Sequence, residues 1–297
     1  MSVVIPAYNR AALLHRAMTS VRGQSLPAWE AIVVDDASTE DLAAVVERAG
    51  DTRFSYVRRG TNGGVAAAQN TGLDRARGRY VVFLHSDDEL LPDSLARLSH
   101  RLDSLPGDVG GIESGHEEVD GGGVRVAHRP YLDGADAADV LAYRAGVHIS
   151  KLMLRREVAE ALRFDEALRG AEDRDFAIRL LRRTSVAIER EPLVRIERTE
   201  IGLRAQPKGA IYEYLVDKYR AEITADPALE RSWWFRISRA HAVAGDLGRA
   251  RVAIRRAIRA DPVRARLWPL GVASLIGDRV FARSMRAYRR AVETFGE

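Results

Sequence analysis

The chain has no cysteine in its 297 residues, which excludes disulfides and thiolate metal sites and suits a reducing compartment. Lysine is almost as scarce: of 46 basic residues only Lys151, Lys208 and Lys218 are Lys, and the rest are Arg. Long hydrophobic runs are missing too. The longest late apolar stretch, LWPLGVASLIG, is interrupted by Pro269 and is too short to span a bilayer. The opening MSVVIPAYNR has neither a basic region nor a long apolar one, so it reads as a strand and not as a signal peptide. The expectation is a soluble, cytoplasmic chain, or one peripheral to the inner face of a membrane. No Gly-x-Gly-x-x-Gly turn follows the first strand, where IPAYNR stands instead, and this excludes a dinucleotide-binding oxidoreductase.

What is present is an ordinary globular composition, 46% hydrophobic and 30% charged, long enough for one large domain with an appendix. Charge is uneven. From Arg204 onward there are 19 basic against 10 acidic residues, whereas the preceding part carries 27 against 32. A basic tail on an acidic body implies two regions with different partners.

Up to about residue 100, short apolar runs alternate with amphipathic stretches. SVVIP, AIVVDD (31–36), FSYVRR (54–59) and RYVVFLH (79–85) read as strands; ALLHRAMTSVRGQ, LAAVVERAG and VAAAQNTGLDRA (65–76) read as helices. Such alternation predicts β-α-β units, a mainly parallel sheet and helices on both faces. Ligands in such sheets bind at the carboxyl ends of strands, where Asp35-Asp36 and Asp87-Asp88 fall. Residues 104–150 are Gly-rich and read as loops with short strands. A strand-helix piece over 151–168, a helix at about 173–184 and a last strand, SVAIERE, follow. Beyond Lys208 the pattern is helical. Trp234, Gly245, Ala250, Ala257 and Pro262 match one tetratricopeptide-like unit, which cannot bury its apolar face alone. It reads as a helical cap on the main domain, followed by a basic helix near 279–295 with Phe281, Met285, Val292 and Phe295 as its stripe. The predicted division is 1–205 and 206–297.

Three acidic groups stand out. Asp35-Asp36 is equally compatible with turn chemistry and with contacts to a ribose or base. Asp87-Asp88-Glu89 directly follows a deeply apolar run, where like charges repel unless a hard divalent cation meets them. Asp93 or Ser94 is expected to cap the next helix, and Glu89 to be a surface acid. Glu172-Asp173 opens a helix, where acids favour the dipole by about 0.3–1 kcal/mol. Asp175 fits that role alone, while a carboxylate after Gly170-Ala171 also suits a general base.

Taken in order, SVVIPAYNR, IVVDDAST, NGGVAAAQNTGLDRARGRYVVFL, SDDELLP and FDEALRGAEDRDFAIRLLR resemble the inverting GT-A glycosyltransferases of family two, over roughly residues 2–200. The resemblance implies a GT-A fold, Rossmann-like, with an all-α C-terminal appendix. It implies that Pro6, Ala7 and Tyr8 line a nucleotide pocket, that Asp36 binds base or ribose, and that Asn62, Gly63 and Asn70 shape the donor side. Asp87 is then a ligand for Mn²⁺ or Mg²⁺, Asp88 lies beside it near donor or acceptor, and Asp173, supported by Glu172, is the base. The implied reaction moves a sugar from a nucleotide-sugar, UDP- or dTDP-linked, to a glycan or lipid-linked acceptor in cell-wall or polysaccharide biosynthesis.

Three positions depart from the family pattern: His85 replaces a common acid, Gln69 a common Arg, and Thr199 a frequent His. His85 has three readings: metal ligand (with Asp87), hydrogen-bond partner of the donor, or packing residue. His148, in GVHISKLM, is a weaker acceptor-side candidate beside a structural reading. The rival function is a catalytically silent GT-A domain acting as a binding or assembly module. Nucleic-acid binding is not expected, because the tail's Arg residues read as solvated helix faces. Docking of those basic helices to an anionic membrane is the second reading for the tail.

Overall fold

The computed structural model describes residues 1–119, 123, 125–197, 208–263 and 267–295. They fall into two compact units, Met1–Leu203 and Arg204–Glu297. The predicted boundary at 205/206 and the Thr199 position lie outside the described residues.

In the first unit, β1 (Ser2–Ala7), β2 (Glu30–Asp35), β3 (Phe54–Arg58) and β4 (Tyr80–Phe83) pair in parallel, in the order β3-β2-β1-β4. β1 and β4 are buried throughout, which is why they read as unbroken apolar runs rather than alternating ones. Helices α1 (Ala11–Arg22), α2 (Leu42–Ala49) and α3 (Val65–Leu73) connect them. α1 buries Leu14, Ala17, Met18 and Val21, an i, i+3, i+4, i+7 stripe against the sheet. The Asp41 side chain caps α2 by accepting from the Ala44 amide, and Gly50 in the left-handed region ends it.

After β4 the sheet becomes mixed. β8 (Leu152–Arg155) runs antiparallel to β4 and to β6 (Val109–Val119); β9 (Ser185–Glu197) is parallel to β6 and antiparallel to β5 (Glu89–Leu90). β7 (Arg125–His128) pairs with β6 alone. The parallel character expected of the sheet thus belongs to its first four strands and the β6–β9 pair. α4 (Ser94–Asp103), α5 (Ala137–Leu141), α6 (Arg156–Leu162) and α7 (Glu172–Arg183) complete the unit.

β6, eleven residues long, is the main difference from the sequence reading, which expected loops and short strands there. Its glycines conceal it. A Cβ at Gly111 would lie 2.7 Å from a Leu154 methyl, and one at Gly115 would lie 2.7 Å from the Arg190 carbonyl. The strand needs residues of poor strand propensity because its neighbours approach too closely for a side chain.

Two smaller expectations also change. Asp93 sits at the N-terminus of α4 with φ 64° and makes no capping bond, while the Ser94 hydroxyl donates to the Leu91 carbonyl at 2.6 Å. Glu89 is a strand residue held by Arg16 at 2.5 Å and Arg195 at 3.3 Å, not a free surface acid.

The second unit is helical: α8 (Lys208–Lys218), α9 (Arg220–Ala225), α10 (Pro227–Val243), α11 (Leu247–Ala260), α12 (Trp268–Ile276) and α13 (Asp278–Phe295). Asp226 and Asp246 cap α10 and α11 with their side chains. One core joins Ala250, Ile254, Ala257, Leu270, Phe281 and Met285. Phe281 and Met285 are therefore stripe residues of α13; the Val292 and Phe295 side chains lie outside the described residues.

Candidate active site

The carboxyl ends of β1, β2 and β4 meet along one edge, as the parallel pairing requires. Two adjacent acids at the end of β2 do different work. Asp35 is fully buried and accepts from the Ser38 amide (2.8 Å), the Tyr56 hydroxyl (2.6 Å) and Arg58 (2.6 Å). Burial pushes its pKa up, but these hydrogen bonds and the Arg58 charge more than offset that and leave it below the ordinary value. Asp35 is turn chemistry. Asp36 accepts from the Gly63 and Gly64 amides at 3.0 and 2.7 Å and pairs with Arg59. It anchors the 59–64 loop, and a Cβ at Gly63 would displace the Arg59 guanidinium from its place beside Asp36.

The turn after β4 places His85, Asp87 and Asp88 differently. Asp87 faces Arg10, with a 2.5 Å ion pair. Asp88 turns inward, where its carboxylate accepts from the Ser150 hydroxyl at 2.6 Å and lies 3.6 Å from His148 Nε2. The same Ser150 oxygen accepts the His85 amide at 3.0 Å. Burial, then the neighbouring Asp87 charge, drive the Asp88 pKa up to about 7 against the opposing influence of His85 and Ser150. Burial, and then His85, Lys151 and His116, hold His148 well below its ordinary value. Both shifts disfavour charge on this pair.

Glu172 and Asp173 form the first turn of α7, reached through Gly170 (φ 124°) and Ala171 (φ 60°). The Ile149 amide donates to Asp173 Oδ2 at 3.1 Å, while Oδ1 and the buried Glu172 Oε2 have no partner among the described residues. Both pKa values are raised, by burial first and, for Glu172, by the adjacent Asp173 charge. Ligand-capable atoms of His85, Glu172 and Asp173 lie within 4.8 Å of one another, as do those of His85, Asp88 and His148. His85 is thus the shared member of two groups, one with Asp88 and His148 and the other with Glu172 and Asp173.

Of the predicted residues, His85, Asp88, Glu172 and Asp173 are brought together. Pro6 and Ala7 are buried at the end of β1, with Tyr8 exposed just beyond. Asn62 is exposed and meets Arg169 at 3.3 Å. Asn70 is occupied elsewhere: its amide bonds the Phe164 carbonyl, the Phe164 amide and Glu166, tying α3 to the segment before α7. Asp175 pairs with Arg179 at 2.7 Å, which fits its structural reading. Sequence reasoning undervalued His148 and missed Ser150 and Arg10. The only signal for His148 and Ser150 was three polar residues, His148, Ser150 and Lys151, just before the buried β8.

The donor set suits a divalent ion. His85 Nε2, His148 Nδ1, Glu172 Oε2 and Asp173 Oδ1 are buried and find no partner among the described residues, an arrangement costly to leave unsatisfied. His85 belongs to both groups, and the Asp87 carboxylate, expected as a ligand, pairs with Arg10.

Comparison with known proteins gives this geometry a family. The sequence profile described as "Glycosyl transferase family 2" matches residues 2–163. The chain belongs to glycosyltransferase family 2. Among its relatives, the succinoglycan biosynthesis protein ExoO of Rhizobium meliloti is 32% identical over 184 residues, 58% of this chain and 53% of that protein. The GalNAc(5)-diNAcBac-PP-undecaprenol beta-1,3-glucosyltransferase of Campylobacter jejuni is 38% identical over 108 residues, 34% of each chain. The chain thus spans about half or less of the length of these relatives. The structure of S. aureus TarS 1-349 in complex with UDP-GlcNAc superposes with a TM-score of 0.65 at 18% identity, over 98% of this chain and 91% of that one. The mannosyltransferase PcManGT of Pyrobaculum calidifontis, in complex with GDP-Man and Mn2+, gives 0.57 at 21% identity, over 100% and 87%. These likenesses establish the GT-A fold of this family-2 chain. Among the described residues no helix is long and apolar enough to cross a membrane.

Proposed function

We propose that this family-2 chain is an inverting glycosyltransferase that moves a sugar from a nucleoside-diphosphate sugar, UDP- or dTDP-linked, to a hydroxyl of a glycan or lipid-linked acceptor. The observation that carries the reading is Asp173: a buried carboxylate with one oxygen fixed by the Ile149 amide and the other unpartnered, beside His85. In this reading Asp173 takes the proton of the acceptor hydroxyl. The hydroxyl oxygen bonds to the anomeric carbon as the bond to the diphosphate breaks on the opposite face, which inverts the configuration. Its raised pKa makes Asp173 a stronger base than an exposed carboxylate. Glu172 holds the proton distribution of the pair. Asp36 and the loop it anchors form the nucleotide side, with Pro6, Ala7 and Tyr8. A divalent ion held by Asp88 and His85, with Asp87 released from Arg10, would stabilise charge on the departing diphosphate. The Mn2+ complex of the PcManGT structure, and the UDP-GlcNAc complex of TarS, support this choice of donor and ion.

The second unit is proposed to serve the acceptor side by peripheral contact with the cytoplasmic membrane face. Trp268, Val272, Leu275 and Ile276 are exposed on α12, and the unit carries the basic excess. Cosedimentation of the full chain with anionic liposomes at low salt checks it; a chain left wholly in the supernatant contradicts it. The rival reading, a silent binding module, draws on the ion pairs Arg59–Asp36 and Arg10–Asp87, which occupy two donor-side acids. Nucleoside-diphosphate release from a panel of nucleotide sugars, with and without Mn²⁺, separates the two: the enzyme reading requires metal-stimulated release from at least one donor.

A further inference from the structure

A second group of metal-competent side chains lies on the β6–β7 hairpin. His116 on β6 is the register partner of His128 on β7. Glu118 is two residues beyond His116, so strand alternation returns it to the same face. One ligand atom from each of the three lies within 4.8 Å of the other two. The imidazoles stack with centroids 4.9 Å apart at 19°, and His128 Nε2 lies 3.2 Å from a Glu118 carboxylate oxygen.

His116 is fully buried, and its two nitrogens differ. Nε2 meets the Tyr131 hydroxyl at 3.2 Å, whereas Nδ1 has no partner among the described residues. Metal-bound histidines are ordinarily held through their second nitrogen in this way, which fixes the ring and frees the first nitrogen to ligate. The Lys151 ammonium, whose charge reaches His116, is compensated by Glu113 at 2.9 Å. The hairpin also has reason to be clamped. β7 has four residues, pairs only with β6 among the described residues and exposes three of its own, so apolar burial contributes little to holding it.

We propose that His116, Glu118 and His128 form a second cation site, separate from the His85 group, that takes one first-row divalent ion and clamps β7 onto β6. Two imidazoles and one carboxylate suit Zn²⁺ best, with water in a fourth position.

The test uses the full chain, stripped with chelator and dialysed against Zn²⁺, with bound metal counted by mass spectrometry. His128→Gln is expected to remove one equivalent of zinc, both in the wild-type background and in His85→Ala, which separates this site from the donor corner. Glu118→Gln is the second variant, expected to weaken the same equivalent by tenfold or more, and circular dichroism verifies that each variant is folded. If His128→Gln misfolds, the Glu118→Gln titration decides. Zinc stoichiometry and affinity unchanged in the folded variants overturn the proposal.

Discussion

His85 and His148 stand edge to face, with ring centroids 5.2 Å apart at 63°, over the carboxylate of Asp88. One nitrogen of each ring is buried without a partner. The account makes His85 the hinge of the site, because it also faces Glu172 and Asp173. His85→Ala should therefore raise the Mn²⁺ concentration needed for half-maximal donor turnover by about tenfold or more. A metal titration of nucleotide release checks this. An unchanged midpoint and unchanged turnover would make His85 a packing residue.

Asp88 gives a pH-dependent stability. Its folded-state pKa is raised to about 7 by burial, so the folded chain keeps a proton that the unfolded chain gives up near pH 4. Unfolding releases that proton, so stability falls as pH rises from about 4 to about 7 and is level above. In metal-free protein, Asp88→Asn should raise Tm at pH 8 by an amount that shrinks towards zero at pH 4. Calorimetry in chelator at both pH values measures it; a Tm gap independent of pH contradicts the buried, proton-sharing carboxylate.

Gly72 in α3 shows how tightly helix and sheet approach. A Cβ there would lie 2.3 Å from a Val4 methyl and 3.2 Å from one of Val34. Alanine ordinarily favours a helix interior over glycine by about 1 kcal/mol. Here overpacking should win, and Gly72→Ala should destabilise by about 1–3 kcal/mol in a denaturant titration. A stabilised variant would show that the helix can move away freely.

Lys151 and Glu113 are both fully buried and paired at 2.9 Å, with the ammonium 3.5 Å from the Tyr131 ring centroid. Glu113 also accepts the Tyr131 and Leu132 amides at 3.1 and 2.7 Å. Lys151→Met leaves that carboxylate uncompensated and should cost about 3–5 kcal/mol. The double variant Lys151→Met/Glu113→Gln should recover part of that loss; equal instability of the two would place the cost in packing instead.

Much of the first hundred residues is legible in sequence because β1, β2 and β4 are buried on both faces and α1 carries a clean apolar stripe. β6 is illegible for the converse reason: its close neighbours demand Gly110, Gly111 and Gly115, and its interior holds Glu113 and His116, polar residues with distant partners. The acids of the site are visible as clusters at strand and helix ends. Which acid turns inward is not, since Asp87 and Asp88 are adjacent and only Arg10 and Ser150, 77 and 62 residues away, distinguish them. The tie from Asn70 to the segment before α7 is hidden for the same reason, because its partner Phe164 lies 94 residues on.

The central claim is that Asp173 is the base. The direct measurement compares nucleoside-diphosphate release by wild type and Asp173→Asn, with donor affinity measured in parallel by calorimetry. The account predicts turnover reduced by about 10²–10⁴-fold with donor affinity within a few fold of wild type. Turnover at the wild-type level in a folded Asp173→Asn chain would contradict it.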